Sequence, residues 1–103
     1  RFGPRGPYAV SRELVDLENT AIRCWVNDEL RQDGNTGLMM FNIPSLIESI
    51  SAGITLYPGD VIASGTPAGV GAGFNPPRFL RPGDRIRIEI PPLGVLENHV
   101  EAW

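Results

Sequence analysis

The chain has 103 residues, 42% of them hydrophobic and 20% charged, with 12 glycines, 10 prolines and a net charge of −3; that size fits one modest domain or part of one, burying roughly two-thirds of its unfolded surface. The glycine and proline content favours short strands and turns over long helices, and nine scattered arginines without a lysine argue against a nucleic-acid partner. No apolar run approaches the roughly 18 residues that span a bilayer, which argues against a membrane partner, and a lone Cys24 forms no internal disulfide, so a cytoplasmic location is expected.

Arg1 to Tyr8 is punctuated by Gly3, Pro4, Gly6 and Pro7 and reads as irregular chain that crosses a surface or lines a site. It begins without an initiating methionine, which points to a processed, truncated or partly recovered chain. Ser11 can cap one helical turn over Arg12 to Asp16, because its oxygen accepts from the free N–H groups of a first turn. From Thr20, Ile22, Cys24 and Val26 alternate with Arg23 and Trp25, the period of a half-buried strand. Asn27-Asp28 tolerates the positive φ of a tight turn, so Glu29 to Asp33 is predicted to pair back as a hairpin. Asp33-Gly34-Asn35 is read as the next reversal.

One helix is predicted, starting at Asn42 or Ile43 and stopping at Gly53. Pro44 suits its first turn, and Ile43, Leu46, Ile47 and Ile50 fall on one face that should cover a sheet. Met39 and Met40 are expected to fill core beside it, as flexible thioethers do. Next comes the stretch around which the chain is organised, Leu56 to Gly71. Pro58-Gly59 forms a type II turn, Val61-Ile62-Ala63 a short buried strand, and Gly65, Gly69 and Gly71 end any regular ladder. Phe74 to Leu80 is a loop. A second turn at Pro82-Gly83-Asp84 leads into Arg85 to Ile90, whose strict alternation marks the clearest strand, with Leu93 to Val100 as its hairpin partner. The expected fold is a β-rich domain with one covering helix.

Ser64, Thr66 and several backbone N–H groups stand among glycines that lack a Cβ, the pattern of an anion or oxyanion site. It lacks the Gly-Lys-Ser/Thr ending of a phosphate loop and the G-x-G-x-x-G order of a dinucleotide fold. Ser64, His99 and Asp60 have the residue types of a hydrolytic triad, but no G-x-S-x-G elbow supports them. One cysteine and one histidine do not make a zinc site. Asp33, Asp60, Asp84 and Glu97 have no cation-ligand spacing, and Asp60 and Asp84 are explained by their turns. Arg5 and Arg31 are candidates to grip a substrate carboxylate through a bidentate fork.

Trp25 to Thr36 (WVNDELRQDGNT), Ile43-Pro44 and Leu56 to Gly71 (LYPGDVIASGTPAGVG) together resemble the C-terminal half of the fumarylacetoacetate hydrolase family. The order and spacing continue through Phe79 to Asp84 and Gly94 to Asn98, so the resemblance covers nearly all of residues 1–103. It implies a mainly β fold with one or two short helices, a mixed β-sandwich or β-roll present here as part of a catalytic domain, and a homodimer. It also implies Mg²⁺ or Mn²⁺ beside a small 2-oxo acid, polarising a ketone and stabilising the enolate formed on C–C cleavage or decarboxylation. The family threonine that contacts the substrate maps onto Thr66, with Gly65 letting the substrate lie close to the backbone and Gln32 as a polar neighbour.

The departures are specific. The family's metal ligands, an E-x-E pair and a later acidic residue, and a following lysine belong upstream of Phe2, and none is present. Arg1 stands where the family often has threonine, and Gly37-Leu38 replaces the usual Ser-Asp. Two readings follow: the substrate-facing part of a metal-dependent hydrolase, decarboxylase or isomerase, or a non-catalytic module for dimerisation or small-acid binding. A metal-free hydrolase using Ser64 and His99 is a third.

Overall fold

The computed structural model describes residues 3–102, so Arg1 and Phe2, where the sequence places the junction with the family's upstream segment, lie outside the described residues. Four strands form, β1 (Ala21–Val26), β2 (Glu29–Asn35), β3 (Arg85–Ile90) and β4 (Gly94–His99), with apolar and charged residues alternating in β1 and β3. They form one antiparallel sheet in the order β2-β1-β3-β4. The single helix, α1 (Ile43–Ser51), starts where expected, with the Asn42 side chain accepting from the Ser45 N–H at 2.9 Å and Pro44 in the first turn.

The β1–β2 turn is tied to the start of β3. Asn27 and Asp28 have φ of 50° and 69°, the conformation of a two-residue hairpin turn that suits the twist of its strands. Asn27 exchanges two backbone-directed bonds with Arg85, each 2.9 Å, and its amide donates to Asp84 Oδ1 at 2.8 Å. Arg85 in turn pairs with Asp28. Both proline-glycine-aspartate turns use the same clasp: Asp60 accepts from the Tyr57 N–H and Asp84 from the Arg81 N–H, each at 2.8 Å. These bonds account for the two aspartates as turn residues.

Cys24 and Val26 are the buried hydrophobic residues, 8% and 9% exposed, with Ile86 and Ile88 half-buried on the neighbouring strand. The total accessible surface is 8304 Å², whereas a compact monomer of this mass shows about 5,700 Å². The radius of gyration is 15.2 Å, against about 13 Å for a compact chain of this length. The expected two-thirds burial is therefore not reached within the described residues.

Three local expectations change. Val61-Ile62-Ala63 is not a strand, and Val61 is 63% exposed, because no described segment offers it a ladder partner. Asp33-Gly34-Asn35 does not reverse the chain but continues β2, pairing with Arg23, Ile22 and Ala21. The helix face is not sealed against a sheet: Ile43, Leu46 and Ile50 are half-buried, Ile47 is exposed, and Met40 is 89% exposed instead of filling core. The reason is that the glycine-rich loop, not α1, lies against β2. No helix of the described residues is long and apolar enough to cross a membrane.

The clasp at Asp84 makes an acid-sensitive joint. The Arg81 N–H, and then the Asn27 amide, hold its carboxyl below the usual carboxylate range. A depressed folded pKa contributes stability that is complete above the unfolded value of about 4 and is lost as pH falls through the folded value. Urea unfolding of the wild type and Asp84→Asn should therefore differ in midpoint at pH 7, and the gap should close as pH is lowered from about 4. A gap that is the same at both ends would show that the charge of Asp84 has no part in the clasp.

Candidate functional site

The loop from Gly65 to Gly71 is held on β2 by contacts at successive positions. Pro67 packs on Gly34, where a Cβ would stand 2.8 Å from the proline ring, which is why the chain carries glycine in mid-strand. Gly69 has φ +111°, and a Cβ there would lie 1.9 Å from the Arg31 carbonyl oxygen. Between these two contacts, Gln32 Nε2 donates to Thr66 Oγ1 at 2.8 Å and to the Pro67 carbonyl at 2.7 Å. Two of the residues expected at the site, 34 positions apart, are thus joined directly.

A bulge aims the β2 side chains. Cys24 pairs with Gln32 and Trp25 with Leu30, which leaves Arg31 as the extra residue. A bulge re-aims side chains next to it, and here Arg31 and Gln32 both line the hollow beneath the loop, together with Cys24 and Val26. Arg31 is turned inward, beneath the loop. Its side chain is only 12% exposed, its guanidinium lies 5.1 Å from the Phe74 ring centre, and its Nε stands 3.1 Å from Glu29 without hydrogen-bond alignment. Arg78 packs on the same ring at 5.3 Å and forks onto Glu29 at 2.7 and 2.9 Å. Arg78 is what holds the Glu29 carboxyl below its usual range. Its backbone N–H also donates to the Gly71 carbonyl at 2.9 Å and closes the neck of the loop. Arg5 is exposed.

The open side of the loop faces a groove of about 550 Å³ between β1, β2 and the start of α1, within the size range of small-molecule sites. Ser64, Gly65 and Thr66 line one wall, and Ile22, Met39, Phe41, Ile43 and Leu46 give the groove an apolar side. Gly65 has φ +102° with nothing within 4 Å of its missing Cβ, so its backbone is open to whatever enters. Gln32 does not line this groove; it stands behind Thr66. Asp33 lines the groove but is paired with Arg23 at 3.1 Å. Gly37 lies where a Cβ would come within 2.9 Å of the Glu18 carbonyl, and Leu38 stands exposed at the groove rim.

The hydrolytic triad does not assemble. Asp60 is taken by its turn, His99 ends β4 on an exposed position, and no hydrogen bond joins either of them to Ser64 among the described residues. Nor does any group of three or more histidine, cysteine or carboxylate side chains suited to a metal ion occur among the described residues. Burial pushes the Cys24 thiol above its usual pKa, opposed by the nearby Arg31 charge, so the thiol stays protonated and inert at neutral pH. The clamp of Glu29, Arg78, Phe74 and Arg31 was not foreseen, since the bulge that assembles it leaves no mark in residue order.

The family model described as fumarylacetoacetate (FAA) hydrolase C-terminal matches residues 1–101. An uncharacterized protein of Staphylococcus aureus strain USA300 is 52% identical over 98 residues, which are 94% of this chain and 33% of that protein. Among solved structures, a fumarylacetoacetate hydrolase from Exiguobacterium antarcticum superposes with a TM-score of 0.93 at 44% identity, over 97% of this chain and 36% of that one. A Sphingobium maleylpyruvate hydrolase, in complex with manganese(II) and pyruvate, superposes at 0.83 and 42% identity over 93% of this chain and 34% of that one. A Mycobacterium marinum 2-hydroxyhepta-2,4-diene-1,7-dioate isomerase superposes at 0.80 and 40% identity, again over 93% and 34%. The chain therefore spans about a third of the length of the relatives it matches.

The two loop glycines should separate experimentally. Gly69→Ala places a methyl group in a backbone carbonyl and should cost about 3 kcal/mol or more of stability in chemical denaturation, from strain and overpacking together. Gly65→Ala meets open space and should cost about 1–2 kcal/mol from backbone strain alone. Equal losses would mean that Gly69 does not touch β2.

Proposed function

The chain belongs to the fumarylacetoacetate hydrolase family, and from that premise we propose that it is the substrate-facing part of an enzyme acting on small 2-oxo or 1,3-diketo acids. The reaction class is C–C hydrolysis of the acylpyruvate or fumarylacetoacetate type, or decarboxylation or isomerisation of a related diacid. The observation that carries this reading is the groove wall in which Thr66 presents a hydroxyl beside the uncovered backbone of Gly65. The solved hydrolase with pyruvate and the solved dienedioate isomerase support the substrate class.

In this reading Thr66 donates to a carboxylate or keto oxygen of the substrate, a charge-assisted bond when the oxygen is anionic. Gly65 admits the ligand to the loop backbone, and Ile22, Ile43 and Leu46 receive the carbon skeleton. A divalent ion, Mg²⁺ or Mn²⁺, is part of the proposal because a family member holds manganese. The described residues do not fit such an ion, so its ligands belong to side chains other than those described. The proposal includes a homodimer, supported by the apolar surface that Tyr57, Val61, Phe79 and Leu80 leave exposed.

A second reading is a non-catalytic module that binds small acids or dimerises, which the groove with Thr66 at its edge would serve equally well. The full-length protein distinguishes the two. Calorimetry with Mg²⁺ or Mn²⁺ should show binding, and an acylpyruvate should be turned over. In the same protein, Thr66→Ala should lower kcat/KM about 10- to 100-fold, the loss of one hydrogen bond to a charged group. Neither metal binding nor turnover would favour the module.

A further inference from the structure

The neighbours of Thr66 decide where its hydroxyl proton goes. Gln32 Nε2 lies 2.7 Å from the Pro67 carbonyl oxygen and 2.8 Å from Thr66 Oγ1. A backbone carbonyl only accepts, so the Gln32 group facing it has to be the NH₂ and not the amide oxygen. That nitrogen has two hydrogens and no lone pair to offer. One hydrogen goes to Pro67, and the other must go to Thr66, whose oxygen is therefore an acceptor in this contact. The Thr66 O–H is left over, and no other hydrogen bond engages Thr66 among the described residues. Thr66 lines the groove and Gln32 does not.

We propose that Gln32 is a positioning residue that, held by the Pro67 carbonyl, leaves the Thr66 O–H free to donate toward the groove. This rests on the reading that Thr66 meets the substrate, and deepens it. The site then favours ligands that bring an acceptor to this point, a carboxylate, ketone or enolate oxygen, because the free O–H is what the hydroxyl offers them. Both hydrogens of the Gln32 amide are used within the protein and its side chain does not line the groove, so in this proposal it acts on the substrate through Thr66. The arrangement also explains the need for the Pro67–Gly34 contact, which brings the Pro67 carbonyl within reach of β2.

A double-mutant cycle on the full-length protein tests this, with the Kd for pyruvate measured by calorimetry at a fixed Mn²⁺ concentration. Thr66→Val should weaken binding about tenfold or more. Gln32→Met, similar in shape but without a donor, lets the hydroxyl rotate and should weaken binding several-fold. The double variant should bind no worse than Thr66→Val alone, because Gln32 acts only through that hydroxyl. Gln32→Glu keeps the shape but accepts from Thr66, and should be at least as weak as Thr66→Val. It replaces Gln32→Met in the cycle if that variant does not fold. An unchanged Kd in Gln32→Met, or a loss that adds in full to that of Thr66→Val, overturns the proposal and leaves Thr66 as a ligand contact. An unchanged Kd in Thr66→Val overturns the underlying reading as well.

Discussion

The structure depends on how closely the glycine-rich loop approaches β2. At Gly69 the loop backbone comes so near the Arg31 carbonyl that a Cβ would overlap it, and the left-handed φ at that residue suits glycine. The approach matters because the loop has no ladder of its own: between Val61 and Ala68 no residue joins a strand. What keeps it in place is contact with β2, where Pro67 rests on Gly34 and the Gln32 amide reaches two loop oxygens. Anchored this way, a segment that would otherwise be free becomes one wall of a groove.

The far end of the loop is secured by different chemistry. The guanidinium groups of Arg31 and Arg78 both lie over the Phe74 ring, at 5.1 and 5.3 Å from its centre, and Arg78 is forked onto Glu29. An aromatic face attracts a cation, and a bidentate carboxylate sets the plane of one of the two guanidiniums. The Glu29–Arg78 pair is half-exposed, so its strength alone is modest. Its contribution is geometric, since it closes the loop onto the same strand that bears Gln32. The bulge at Arg31 links both ends, because one extra residue in β2 turns Arg31 and Gln32 toward the loop together.

The distribution of exposed surface fits the proposed role. A chain that shows about half as much surface again as a compact monomer of its mass is not organised around its own centre. Its apolar groups are spread over the groove, the exposed face of α1 and the stretch from Phe79 to Leu80. The groove joins a polar point at Thr66 to an apolar wall, the combination that orients a small acid by its oxygen and holds it by its carbon chain. In the proposed reading the metal chemistry lies on side chains beyond those described, and these residues supply recognition.

The sheet was legible from residue order because local alternation is what makes a strand half-buried: Ile22, Cys24 and Val26, and the isoleucines of β3, occupy the positions that the period of two assigns them. The Asn27-Asp28 turn, the helix start at Asn42 or Ile43 and the two proline-glycine-aspartate turns were legible for the same reason, each being decided within a few residues. The pairing of Thr66 with Gln32 was only implied by the family resemblance, and its direct hydrogen bond spans 34 positions. Tertiary structure alone decided the rest. Gly34 reads as a turn until Pro67 is seen against it, Arg31 reads as a substrate grip until the bulge turns it onto Phe74, and Val61-Ile62-Ala63 reads as a strand until no neighbour is found for it. Residue order determines what each segment can form by itself, whereas a close approach, a bulge or a missing ladder partner depends on what lies beside it in space.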